Sequence, residues 1–322
     1  MRRAYRFAKS LVVLIVIAAA ATANAAEYPT RPIRWVLGFP PGGASDVLGR
    51  AVAERLSVNL GQQVVVDNRP GASGIIANDI VSRAAPDGHT ILLVSSTFAN
   101  LKSLGKELPY DPDRDLAPVT LLADVPNILC VHPSMPVKSV KQLIDLAKSK
   151  PGQIDYGTGG TGTGPHLATE LFKIMTGVDI MHIPYKGTPA AVNDLIGGRV
   201  HMMFALSPVS LPHVKAGRLR PLGVSGKTRL SELPQVPTVA DTVPGYVATV
   251  WYGMMVPAGT PSAIQNRFSK EIGTILQIPA VKQRLAAVGF QTATSSPEEF
   301  TRFMREEVAK WKKVIDQAEI KF

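Results

Sequence analysis

IRWVLGFPPGGASDVLGRAVAERLSVNL, residues 33–60, holds the pattern on which the fold turns. Ile33 to Phe39 is an apolar run that reads as a buried strand. Asp46 to Leu60 reads as a helix, with Val47, Ala51, Leu56 and Leu60 near one face. Between them lies FPPGGASD, residues 39–46. A strand that turns through glycines directly into a helix exposes several backbone N–H groups beside the positive end of the helix dipole, which makes an anion site.

Outward from this unit the pattern repeats. VVVDN (64–68) reads as a strand, residues 77–85 as a helix and TILLVSS (90–96) as a strand. A second round follows: strand 127–133, helix 140–150, the strand QIDYG, helix 166–176, strand 179–185, helix 190–196, and strands at 200–205 and 219–225. This alternation predicts βαβ units, a mainly parallel sheet and two similar α/β lobes. The end of the chain is helical. Pro261 and Pro279 sit where first-turn prolines belong. Ser296-Pro297-Glu298-Glu299 is a capping box opening a helix with Phe300, Phe303, Met304, Trp311 and Val314 on one stripe.

A second glycine-rich loop, YGTGGTGTGPH (156–166), again joins a strand to a helix. Neither loop contains Lys or Arg, so an anion there must be held by backbone amides and by the hydroxyls of Ser45, Thr158, Thr161 and Thr163. Gly157 to Gly162 matches the G-x-G-x-x-G spelling of a dinucleotide fingerprint. Pro165, however, places the helix start after the third glycine, and an exported protein meets little NAD. No cofactor is expected. Asp46 is unfavourable beside an anion and reads better as a capping group. His166 is expected either to donate to a ligand or to pack at the helix start.

The chain opens with Arg2, Arg3, Arg6 and Lys9, then an apolar run from Leu11 to Ala23, then the small residues Ala23-Asn24-Ala25, as in a cleaved secretory signal. An uncleaved anchor is the rival reading. Removing residues 1–25 takes the net charge from +10 to 10 − 4 = +6. No dense basic block remains, so nucleic-acid binding has no support. Cys130 is the only cysteine, which excludes an intrachain disulfide and points to a buried strand residue. His89, His132, His166, His182, His201 and His213 show no metal-ligand spacing, and no metal is expected.

Several stretches then carry a family resemblance: YPTRPIRWVLGFPPGGASD, VVVDNRPGASG, APDGHTILL, the Gly/Thr loop ending in PHLATELF, HIPYKGTPAAVNDLIGGRVHMMF, LPHVKAGRLRPLGVS, LPQVPTVADTVPGY and WYGMMVPAGTP. They run in family order from about residue 28 to 262. The chain resembles the periplasmic substrate-binding proteins of tripartite tricarboxylate transporters, the Bug family of Bordetella and its relatives. The resemblance implies a type II periplasmic-binding-protein fold of two α/β lobes joined by two crossover strands. Residues 1–26 would be the signal peptide, 27–125 plus 247–322 the first lobe and 126–246 the second. It implies a small organic carboxylate gripped in the cleft by Phe39, Gly42, Gly43, Ser45 and Asp46 from one side. Thr158, Gly160, Thr161, Gly162, Thr163 and His166 would grip from the other, with Ser95, Ser96, Thr97, Tyr185 and Ala205 lining the cleft. Many members read MMFDN where this chain has Met202-Met203-Phe204-Ala205-Leu206, which disfavours an amine-bearing ligand.

The resemblance implies a monomeric periplasmic receptor, not an enzyme, working with membrane subunits of a tripartite transporter. A sensory receptor on the same fold shares the pocket. A secreted hydrolase lacks its nucleophile elbow, since Pro70-Gly71-Ala72-Ser73-Gly74 continues into Ile75. The exported protein should begin next to Ala25 or Ala26. N-terminal sequencing of periplasmic material checks this, and a mature chain beginning at residue 1 would contradict it.

Overall fold

The computed structural model describes residues 28–104 and 107–320. The expected signal segment, 1–26, lies outside them. In the first lobe, strand β1 (Ile33–Leu37) leads through the first loop to helix α1 (Ala44–Leu60). Then come β2 (Val64–Asn68), α2 (Ile75–Ser82), β3 (Thr90–Ser95) and α3 (Ser96–Ser103). Strand β1 pairs in parallel with both β2 and β3, as the alternation requires.

The chain leaves this lobe along one long strand, β4 (Leu116–Val131). The second lobe holds α4 (Val140–Ser149), β5 (Asp155–Thr158), α5 (Gly164–Thr176), β6 (Met181–Pro184) and α6 (Thr188–Ile196). It continues with β7 (Met202–Leu206), α7 (Ser207–Lys215) and β8 (Arg220–Val224). The chain returns into β9 (Thr249–Pro257) and ends with α8 (Ser262–Gln277), α9 (Pro279–Ala286), the short β10 (Gln291–Thr292) and α10 (Pro297–Gln317).

One mixed sheet runs through both lobes in the order β2-β1-β3-β9-β4-β7-β5-β6. It is not mainly parallel, as the alternation predicts. Strand β9 is antiparallel to β3 and β4, and β4 is antiparallel to β7 and β8. The reason is topological: β4 carries the chain out and β9 brings it back, so the two must run in opposite directions. Pairing on β4 changes partner in a single step. Pro126 faces Thr249 of β9, and Asn127 faces Leu206 of β7.

Each half of the sheet is covered on both faces by apolar side chains. Around β1, β3 and β9 lie Trp35, Leu48 and Phe268 on one face and Val36, Leu92 and Phe300 on the other. Around β5 and β7 lie Tyr156, Phe172 and Phe204 on one face and Cys130, Met203 and Leu195 on the other. Cys130 is fully buried, as its apolar run implied.

Helix α10 starts with the capping box expected from sequence: Ser296 Oγ accepts from Glu299 N–H, and Glu299 Oε2 accepts from Ser296 N–H at 2.8 Å. Its apolar stripe is shared between lobes. Phe300 packs edge-on to Trp251 at 5.5 Å in the first, whereas Trp311 and Ile315 belong to the core of the second. Phe300→Ala should therefore destabilise the protein by about 3–5 kcal/mol, the usual cost of emptying a buried aromatic site. Urea unfolding of the two proteins checks this.

Candidate functional site

Four helices begin at the seam between the lobes. The first lobe supplies the starts of α1 (Gly43, Ala44, Ser45) and α3 (Ser95, Thr97). The second supplies the starts of α5 (Thr163, Gly164, Pro165) and α6 (Thr188, Pro189). At none of the four does the N-cap side chain cap its helix. The first N–H groups of a helix have no acceptor within it. Ala44, Ser45 and Asp46 in α1, and Gly164 and His166 in α5, occupy such positions. Their dipoles add a partial positive charge at each end.

These starts enclose a cavity of about 30 Å³, room for little more than a water molecule. Phe39, Leu206, Val250 and Tyr252 form its apolar walls, and no lining residue carries a charge. Ser45 Oγ is buried there without a hydrogen-bond partner, and so is Ser96 Oγ beside it. An outer mouth of about 480 Å³ continues toward solvent past Phe39, Ser73, Gly160, Tyr185 and Lys186.

The lobes touch across the seam. Ser73 Oγ donates to the Thr161 carbonyl at 2.8 Å, and Asn100 Nδ2 donates to the Gly162 carbonyl at 3.2 Å. Gly164 sits so near β9 that a Cβ on it would lie 2.1 Å from Val250 Cγ2. Only glycine allows α5 to start at that distance.

The structure sorts the sequence-derived residues into three groups. Phe39, Gly43, Ser45, Thr97 and Thr163 line the inner cavity. Gly160 and Tyr185 line the mouth, where the Tyr185 hydroxyl donates to Asp194 at 2.8 Å. The remainder shape the loops. Gly42 N–H donates to Asp46 Oδ2 at 3.0 Å, and Arg50 Nε donates to Asp46 Oδ1 at 2.9 Å, so Asp46 caps the first loop. Thr158 Oγ1 accepts from Gly160 N–H at 3.2 Å, and Thr163 Oγ1 donates to the Gly160 carbonyl at 2.7 Å. Gly162 N–H donates to His166 Nδ1 at 3.1 Å, with Gly162 at φ +74°, a conformation glycine adopts without strain. Thr161 contributes its carbonyl, and Ser96 is the first residue of α3. Ala205 is fully buried in the second lobe, away from the cavity. Side chains alternate along a strand, so its neighbour Leu206 reaches the cavity instead.

Sequence reasoning placed Ser95, Ser96 and Thr97 at the cleft but missed that α3 and α6 start there. Gly187-Thr188-Pro189, a glycine followed by a first-turn proline, was the readable signal for α6.

A family model described as tripartite tricarboxylate transporter family receptor (TctC) matches residues 48–320. The chain belongs to this family. Protein BugT of Bordetella pertussis is 39% identical over 299 residues, covering 92% of each chain. A solved structure of Rhodopseudomonas palustris Rpa4515 with adipate superposes with a TM-score of 0.89 at 38% identity, over 91% of this chain and 99% of that one. The periplasmic binding protein BugD superposes at 0.87 with 31% identity, over 91% and 99%. The type II periplasmic-binding-protein fold is thereby shown, and these receptors are binding proteins rather than enzymes.

In this receptor the ionisation of Asp46 is set by two opposing effects. Burial alone would raise its pKa, but the hydrogen bonds from Arg50 and Gly42 outweigh burial and hold the carboxyl below its ordinary value. A depressed carboxyl contributes stability above its unfolded pKa, about 3.9, and loses it as pH falls through the folded value. Arg50 is half exposed, so the ion pair is worth at most about 1 kcal/mol. Asp46→Asn should thus be slightly less stable than wild type at pH 7, with the gap closing below about pH 4. Denaturant titrations at both pH values check this.

Proposed function

We propose that this chain is an exported, monomeric receptor that closes its lobes on a small organic carboxylate and delivers it to the membrane subunits of a tripartite tricarboxylate-type transporter. One observation carries the reading: four uncapped helix starts, two from each lobe, converge on a cavity without charged side chains. An ammonium group would find no carboxylate there, and a multivalent cation no ligand set. A carboxylate finds amide N–H groups and hydroxyls. Hydrogen bonds to a charged group contribute about 1.5–3 kcal/mol net each. Four to six of them suffice for roughly micromolar affinity after ordering costs. The related Rpa4515 was solved with adipate, a dicarboxylate, which supports the same ligand class here.

In this reading the first lobe comprises about residues 27–125 and 247–322, and the second 126–246. The partner change on β4 at Pro126 and Asn127 supports that boundary. The narrow cavity implies that ligand enters with the lobes further apart and that closure follows about β4 and β9. The signal-like start, residues 1–26, supports a periplasmic location.

Melting temperatures of the mature protein, measured with acetate, adipate and citrate, test the ligand class, because binding to the folded state raises them. At least one carboxylate should do so, and an amine such as putrescine should not. Stabilisation by amines alone would overturn the reading. Ser45→Glu should abolish the response by placing a like charge among the amides. Ser45→Ala should cost the wild-type complex about 1.5–3 kcal/mol if its hydroxyl meets the carboxylate. Calorimetry on both variants checks this. Added salt should weaken binding only mildly, since the anion is buried and held by dipoles.

A further inference from the structure

Beneath the second loop lies a buried polar cluster that the anion site itself does not use. His166, the third residue of α5, accepts the Gly162 N–H on Nδ1 at 3.1 Å. That geometry puts its own proton on Nε2, which lies 3.9 Å from Glu170 Oε1. His182 of β6 stacks on His166 with ring centroids 4.0 Å apart. Its Nε2 shares a 2.7 Å hydrogen bond with Thr158 Oγ1, which also accepts the Gly160 N–H. Each imidazole is therefore tied to one corner of the loop, His166 directly and His182 through Thr158.

The groups around the pair are few. From α5 come Glu170 and Lys173, joined at 3.0 Å. From β5 comes Tyr156, whose hydroxyl donates to Glu170. From α3 comes the neutral Asn100, and the Tyr246 hydroxyl is committed to the Ala168 carbonyl. The α10 side chains in the adjoining core, Trp311 and Ile315, are apolar.

We propose that His166, acting through the Gly162 amide and backed by His182, is a positioning residue that holds the second loop in its anion-binding shape and releases it on gaining a proton. This rests on the reading above, in which the loop is half of the binding site. The Gly162 N–H needs the lone pair on Nδ1. A proton there would set donor against donor, and the loop would have to turn away, taking Thr163 and the start of α5 with it. The stacked partner at 4.0 Å makes a second positive charge costly.

Burial, with Lys173 adding to it, pushes His166 down to about 4. Burial, then the neighbouring His166, pushes His182 down to about 3. An opened loop would let each ring return toward its ordinary value of about 6.5. The sign follows. The latch is fully set above about pH 6.5 and weakens as pH falls toward 4, by at most roughly tenfold per pH unit for one proton.

The test is nuclear magnetic resonance of the nitrogen-15-labelled mature protein between pH 7.5 and 4, without ligand. It follows the His166 ring nitrogens and the protection of the Gly162 amide. His166 should titrate well below 6.5 with Nδ1 unprotonated, and Gly162 protection should decline as pH falls. His166→Asn offers an acceptor oxygen that does not titrate, so its Gly162 protection should stay level. A His166 that titrates near 6.5, or a His166→Asn protein whose protection falls in parallel with wild type, overturns the proposal. If the variant does not fold, the wild-type His166 titration decides alone. Adipate melting shifts run alongside should fall more steeply in acid for wild type than for the variant, because protonation of adipate itself acts equally on both. Their absence even at pH 7.5 would count against adipate as ligand and leave the ligand-free result standing.

Discussion

A backbone amide at the start of a helix has no acceptor in its own helix, and the rest of this structure is organised around that shortage. Most proteins relieve it locally with a capping side chain. Here α1, α3, α5 and α6 all begin without one, and they begin at the same seam. Away from that seam Ser139 and Ser296 cap α4 and α10, whereas α2, α8 and α9 begin uncapped as well. What sets the four apart is the cavity they share where the lobes meet. It sets the need for glycines, which let the chain enter each helix abruptly, and for Asp46 and His166, which tie down the loops from behind.

Those ties explain how a neutral cavity keeps its shape. Asp46 consumes the Gly42 amide and His166 consumes the Gly162 amide. Each loop thereby spends some of its donors on its own fold, Gly160 N–H on Thr158 among them, and leaves the first N–H groups of its helix free of internal acceptors. Burying a charged side chain in the cavity would have demanded a partner for it in every state. Dipoles carry no such demand, and the apolar walls of Phe39, Leu206, Val250 and Tyr252 can close without stranding an ion.

Much of this was legible in the sequence, for identifiable reasons. Strand, glycine turn and helix follow one another within 28 residues at 33–60, so local signals suffice. The loops at 39–46 and 156–166 do bear on the seam. What escaped depends on long-range geometry. Strand β4 carries Pro118 and Pro126, which disguise a single 16-residue strand as linker and strand. Helix α7 contains Pro208 and Pro212, so its pattern does not read as helix. The antiparallel centre of the sheet arises because β9 returns more than 100 residues after β4, a pairing no local pattern records. The choice between Ala205 and Leu206 depends on strand register, where one residue reverses the face. The capping role of Asp46 was readable, but that His166 turns back onto its loop is a matter of side-chain direction, which spacing leaves open.

Helix α10 gives the molecule a mechanical character that two strands alone would not. It is 21 residues long, roughly 30 Å, and is seated by Phe300 in one lobe and by Trp311 and Ile315 in the other. The lobes thus share three tethers rather than two. Two flexible strands permit twisting as well as bending, whereas a stiff rod fastened at both ends resists twist and limits travel. In the proposed closure, opening would strain the seating of that rod and closing would relax it. On that reading the helix makes the protein a sprung jaw with a preferred plane of motion, in which the four helix starts would return to the same alignment at each closure.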